Sequence, residues 1–227
     1  MKRFDHNLSW GRWPFRDFLY ENFADFRAAL AAAGIEGGLV RSAEAHFNAD
    51  LYACNDRLRA ALTGSFRAIP CVHPDYPRWR EETAPAVVLL GNFHSYALTD
   101  SGVCDMLGHF AGRKTLAVIP IREEDSRGQH RRAIVPPVPV AEIAAAAEAF
   151  PELELLVLNG FADELAQLAY PNVFYDFAFV ERFDTLRANA AKLDAKRMVF
   201  GSHAPFFYPA AAISKLNDEF PMERILR

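Results

Sequence analysis

The chain has 227 residues, 51% of them hydrophobic, which is enough to bury a large core within one domain. Its net charge of −4 provides no broad basic surface, so neither nucleic acid nor anionic membrane is an expected partner, and a small molecule is the default ligand. No apolar run approaches the roughly 20 residues that cross a bilayer. No apolar segment follows Lys2-Arg3, and Cys54, Cys71 and Cys104 form no close metal pair and leave at least one thiol unpaired. A cytoplasmic protein is expected.

Along the chain, short apolar runs alternate with stretches of helical periodicity, the signature of repeated βα units. Residues 3–8 predict a first strand and residues 23–33 a helix closed by Gly34. Strand two is expected over 37–41, followed by a helix over 50–62 with Leu51, Cys54, Leu58 and Leu62 along one face. Strand three is expected over 66–72, ending at His73-Pro74, and strand four over 86–90, ending at Gly91-Asn92-Phe93-His94. A helix over 101–110 takes Asp100 as its N-cap. Strand five is expected over 115–121. The charged segment 122–132 is long enough to lie across a site mouth, and Pro136, Pro137 and Pro139 lead into an alanine-rich helix over 140–150. Strands six to eight are expected over 153–158, 173–180 and 198–202. Eight strands with intervening helices predict an α/β fold, a single-domain (β/α)8 TIM barrel over residues 1–227. No glycine-rich nucleotide loop, internal repeat or interdomain linker interrupts it.

Strand eight stops at Gly201-Ser202-His203-Ala204-Pro205, which sets one imidazole at a strand end, where barrel enzymes carry their chemistry. This turn, the N-terminal Phe4-Asp5-His6-Asn7-Leu8-Ser9-Trp10-Gly11-Arg12-Trp13-Pro14-Phe15 and the middle Val87-Val88-Leu89-Leu90-Gly91-Asn92-Phe93-His94 together resemble the amidohydrolase superfamily, in its amidohydrolase-related TIM-barrel branch. The resemblance implies a metal-dependent hydrolase of C–N or C–O bonds, or a decarboxylase, often as a homo-oligomer. The ligand positions depart from the family pattern. Asn7 and Ser9 stand where the family has H-x-H, and His6 is out of phase and points to the other face of its strand. No histidine ends strand five or six, where Asn159 follows Leu158, and the terminal aspartate is replaced by His203.

The candidate catalytic groups are therefore His203 and His94, as proton carriers at strand ends, and Asp176, a carboxylate inside an apolar run that needs a partner. Candidate substrate-binding groups are Arg122, a bidentate grip for a carboxylate or phosphate, together with Asn7, Ser9, His73 and Asn159. Each has a packing or turn-stabilising alternative. His46 and His109 are expected at the surface, while Trp10, Trp13, Phe15, Phe206, Phe207 and Tyr208 either close the barrel seam or wall a substrate. No cofactor is expected; zinc on a rebuilt set of His73, His94 and His203 is the alternative. The expected function is hydrolysis of a lactone, an ester or a C–N bond in a small anionic molecule without the family's metal centre, by an amidohydrolase-like hydrolase of the lactonase kind or by a decarboxylase. The rival is a non-catalytic barrel that binds a ligand or partner.

Overall fold

A computed structural model describes residues 2–181 and 192–219. Among the described residues, seven strands are defined: β1 (Arg3–Trp10), β2 (Ile35–Ser42), β3 (Ser65–Ala68), β4 (Ala86–Val88), β5 (Leu116–Pro120), β6 (Leu155–Leu158) and β7 (Val173–Tyr175). The helices are α1 (Phe23–Ala32), α2 (Leu51–Ala61), α3 (Gly91–His94), α4 (Ser101–Arg113), α5 (Val140–Ala149), α6 (Ala162–Leu165) and α7 (Pro209–Glu219). All ladders are parallel, in the orders β1-β2-β3 and β4-β5-β6-β7.

The two sheets are joined at both ends. Residues beyond β3 cross to β4, where Val88 N donates to Pro70 O (2.9 Å) and Val72 N donates to Val88 O (3.1 Å). The eighth position, expected as a strand over 198–202, is reduced to bridges: Tyr175 with Met198 and Leu8 with Ala204. Val199 N donates to Tyr175 O (3.0 Å), and His6 N donates to Phe200 O (2.8 Å). These contacts close an eight-position (β/α)8 ring. The expected strand over 66–72 is split because its first half pairs with β2 and its second half with β4. The strand expected over 173–180 ends at Tyr175, since Val180 N turns back onto Phe177 O (3.1 Å).

Two apolar layers follow from strand alternation. Leu39, Ile69, Val88, Leu90, Val118, Leu156, Leu158 and Val199 fill the ring. Leu8, Val40, Val87, Ile119, Val157 and Val173 face outward onto Phe26, Leu30, Leu58, Leu107, Phe110 and Ile143 of the helices. Each such side chain contributes roughly 1.5–3 kcal/mol by leaving water. Helix ends are capped locally: Asn22 accepts from Asp25 N (3.0 Å) and Asp50 accepts from Ala53 N (3.0 Å). Asp100 takes the N-cap position of α4, as expected, but its side chain makes no capping bond to the helix. Its carboxylate accepts from Ala97 N (2.9 Å), and the helix runs on to Arg113 before Lys114 ends it in the left-handed conformation. Among the described residues, no helix is long and apolar enough to cross a membrane.

Candidate active site

A bulge in β1 decides what enters the mouth of the ring. Asp5 pairs with Gly38 and Leu8 with Val40, so three residues of β1 span two of β2. Phe4 faces the interior below the bulge, and above it Asn7 and Ser9 face inward while Leu8 joins the outer layer. His6 is turned away from the mouth, with its Nδ1 on Phe200 O (3.3 Å).

The inward groups assemble around Arg41, which ends β2 and is fully buried. All five of its N–H groups have acceptors. Nε and Nη2 grip Glu123 Oε1 and Oε2 (3.0 and 2.8 Å), Nη1 donates to Asn7 Oδ1 (2.7 Å) and Leu8 O (3.5 Å), and Nη2 also donates to His203 Nδ1 (3.3 Å). Although burial pushes the Glu123 carboxyl up, Arg41 and His46 hold it well below the usual carboxylate range. Asn7 Nδ2 donates onward to Asn159 Oδ1 (2.7 Å) and Asp176 Oδ2 (2.5 Å), and Asp176 Oδ1 accepts from Asn159 N (2.9 Å). Burial raises Asp176 to about 6. Glycine is required at 201, because a Cβ there would lie 2.6 Å from Asp176 Oδ2 and 2.9 Å from Asn7 Cβ. Asn159 and His203 turn into the centre from left-handed backbone (φ 62° and 58°), which Asn and His adopt more readily than most residues.

His203 is sealed within this network. Its Nε2 donates to Glu123 O (2.8 Å), leaving Nδ1 to accept from Arg41. Phe206 stacks on the ring at 4.8 Å, and Phe207 and Phe179 close its edges at 5.0 and 5.4 Å. Burial lowers its pKa to about 3, with the Arg41 charge adding to the shift. The ring is thus a neutral hydrogen-bonding strut with no free nitrogen. The aromatics expected as seam or wall act mainly as cover: Trp13 and Phe206 pack edge to face at 4.9 Å, and Phe15 stacks on His130 at 4.9 Å. Trp10 packs under α1 against Phe23 and Phe26, and Tyr208 is exposed. Segment 122–132 does cross the mouth, pinned by Gln129, whose amide bridges Glu124 O (3.2 Å) and Val135 N and O (2.8 and 3.0 Å).

Beside the sealed network, a cleft of about 300 Å³ opens at the C-terminal ends of β2, β3 and β4. Its walls include His46, His73, His94, Phe47, Phe93 and Tyr76. His94 Nε2 donates to Ala45 O (2.8 Å), which fixes the tautomer and leaves Nδ1 as an acceptor. That Nδ1 is buried and has no hydrogen-bond partner. Burial lowers His94 to about 4, so the ring is a neutral base at pH 7. His73 Nδ1 accepts from Asp75 N (3.1 Å), which places its proton on Nε2. The two imidazoles lie 5.6 Å apart.

The sequence candidates therefore divide. Asn7, Asn159, Asp176 and His203 share the sealed network, and Ser9 is buried beside it in register with Arg41. His73 and His94 share the cleft. Arg122 borders the network through Asn159 and does not line the cleft: Nη1 donates to Asn159 O (2.9 Å) and to Glu164 Oε2 (2.7 Å), its backbone O accepts from Asn159 Nδ2 (2.6 Å), Nη2 also bonds Glu164, and the guanidinium lies 4.1 Å over the Phe161 ring. Its charge is committed to an internal partner, which removes the reason to expect an anionic substrate. His46, expected at the surface, is 2% exposed, with Nδ1 on Ala43 O (3.0 Å) and Nε2 3.0 Å from Glu123 Oε1. His109 is half-buried against Trp79. Sequence reasoning passed over Arg41 and Glu123. A signal existed for Arg41, a full charge ending the apolar run Gly37-Gly38-Leu39-Val40; Glu123 is indistinguishable from the solvated charges around it.

No protein-family model matches the chain, and no curated protein matches its sequence. Solved structures match its fold. A 2,6-dihydroxybenzoate decarboxylase from Rhizobium aligns with a TM-score of 0.67 at 14% identity, over 99% of this chain and 95% of that one. Amidohydrolase 2 from Bifidobacterium longum subsp. infantis aligns with a TM-score of 0.68 at 15% identity, over 96% and 92%. A 5-carboxyvanillate decarboxylase from Sphingomonas paucimobilis gives 0.67 at 14% identity, over 91% and 80%. The chain thus shares the barrel fold of these solved structures.

A metal centre of the kind that the sequence resemblance implies does not fit the residues present. The point on which Asn7, Glu123 and His203 converge is filled by a guanidinium that takes up their lone pairs. Nor do His73, His94 and His203 come together as a zinc set, since His203 is bound into the network, and among the described residues no group of three or more His, Cys, Asp or Glu is placed to hold a metal.

Proposed function

We propose that the protein is a hydrolase of small, uncharged, activated acyl compounds, esters or lactones, and that it works in the histidine cleft without a divalent ion. The observation that carries this reading is His94, a residue of the cleft lining whose Nδ1 is buried and has no hydrogen-bond partner. Buried polar atoms are rarely left unmatched, and a ligand or reacting water is the partner that such a position calls for. His94 would take a proton from water as the hydroxide adds to the acyl carbon, and would return it to the departing alkoxide as the C–O bond breaks. His73 Nε2–H is the donor available to the carbonyl oxygen. A base held near 4 is weak, which restricts the reaction to good leaving groups or strained rings and disfavours amides. Among the described residues no Arg or Lys lines the cleft, and its aromatic walls favour a neutral, flat substrate. The three thiols, all free, support a reducing compartment such as the cytoplasm.

The test is a screen of neutral aryl esters and lactones alongside carboxylated analogues. Turnover of the neutral set, reduced about 10²–10⁴-fold by His94→Ala, is the expected outcome. Undiminished turnover in that variant removes the assignment. A second reading, a non-catalytic barrel that binds a ligand in the same cleft, is favoured by the self-satisfied network that fills the rest of the mouth. Binding of the neutral compounds without turnover would select it.

A further inference from the structure

We infer that the sealed half of the mouth is a cation site shaped for a planar guanidinium, with the chain's own Arg41 as its resident ligand. Five acceptor atoms from separate parts of the ring converge on that group: Asn7 Oδ1 and Leu8 O from β1, both Glu123 carboxylate oxygens from the segment after β5, and His203 Nδ1 from the eighth position. Two of the acceptor residues are oriented by separate bonds. Asn7 is held through its Nδ2 on Asn159 and Asp176, and His203 through its Nε2 on Glu123 O. Glu123 Oε1 also lies 3.0 Å from His46 Nε2. Asn7 and His203 are therefore placed independently of the stem that delivers the guanidinium. Without a cation, five lone pairs and one full negative charge would face each other in a space closed to water, which is strongly unfavourable.

Two consequences distinguish a cation site from ordinary packing. Shortening the stem leaves a guanidinium-shaped vacancy that a free guanidinium ion can fill. Replacing the group with a different cation is tolerated better than replacing it with a neutral side chain of similar length. The inference does not depend on the hydrolase reading, because its readout is stability and it concerns the half of the mouth that the cleft chemistry does not use.

The experiment follows thermal unfolding of Arg41→Ala during titration with guanidinium chloride in the low millimolar range, below denaturing concentrations. The Tm is expected to start below that of the native protein and to rise saturably with guanidinium, but not with equal sodium chloride, urea or tetramethylammonium chloride. The native protein should show no rise, and adding Glu123→Gln to Arg41→Ala should abolish it. Absence of the rise, or an equal rise in the native protein or with tetramethylammonium, overturns the inference. Arg41→Lys and Arg41→Gln give an independent comparison that needs no ligand, scored by Tm or, if either fails to fold, by the yield of folded protein. A higher value for lysine supports a cation site; an equal or lower one overturns it.

Discussion

Two parts of one barrel mouth, separated by little more than the ring of His46, use similar polar residues in opposite ways. Where β1, β6, β7 and the eighth position meet, Asn7, Arg41, Glu123, Asn159, Asp176 and His203 saturate one another beneath Phe206 and Phe207. At the ends of β2 to β4, His94 and His73 line a cleft, His94 with a buried nitrogen that has no partner and His73 with its proton on Nε2. A histidine at a strand end is therefore not informative by itself. What distinguishes His94 from His203 is whether the second ring nitrogen already has a partner.

The contrast breaks most visibly at Glu123. Glu123→Ala leaves Arg41 and His46 facing a buried gap, and removal of one partner from a buried ion pair costs about 3–5 kcal/mol. Urea unfolding should show that loss; a change below about 1 kcal/mol would mean that the sealed half is open to water and screened.

A smaller effect sharpens the contrast by separating turnover from stability. His73→Ala removes the donor assigned to the carbonyl oxygen and is expected to lower kcat about 10²-fold with little change in Tm, as loss of one oxyanion donor does. His203→Gln should do the reverse, lowering Tm while activity per folded molecule is unchanged. If His203→Gln lowers kcat in folded protein, the chemistry belongs to the network and the assignment of the two halves is exchanged.

Much of the barrel was legible because its signal is local. Apolar runs such as Val87-Val88-Leu89-Leu90 and Leu155-Leu156-Val157-Leu158 stand out from the helical periodicities between them. Strand lengths were overestimated at 66–72, 173–180 and 198–202 because pairing partners change or end there, and pairing is not written in the run itself. In the site, strand ends pointed to His73, His94 and His203, but their separation into cleft and network depends on Ala45 O, Glu123 O and Arg41, groups far away in the chain. Arg122 and Glu123 show the limit most clearly. They are neighbours of opposite charge, and only tertiary contacts send one to Glu164 and the other to Arg41.

The smallest expected effect concerns protons in the sealed half. Burial raises Asp5 from its ordinary 3.8 to about 7 and Asp176 to about 6, so the folded state holds these protons more tightly than the unfolded chain. Their contribution is complete below pH 4 and is lost as pH rises through 6 and 7. His203 and His94, lowered to about 3 and about 4, act in the opposite direction: their contribution is complete above 6.5 and is lost as pH falls through those values. Stability should accordingly peak on the mildly acidic side of neutrality. Asp5→Asn isolates one limb of that curve, because an amide oxygen can still accept from Asn7 N and Ser202 N (2.9 and 3.1 Å) but never ionises. The variant should match the native protein near pH 5 and exceed it by on the order of 2 kcal/mol at pH 8. Parallel Tm curves for the two proteins from pH 5 to 8 would show that Asp5 ionises without cost, which is incompatible with a mouth closed to water around Asn7 and Ser202.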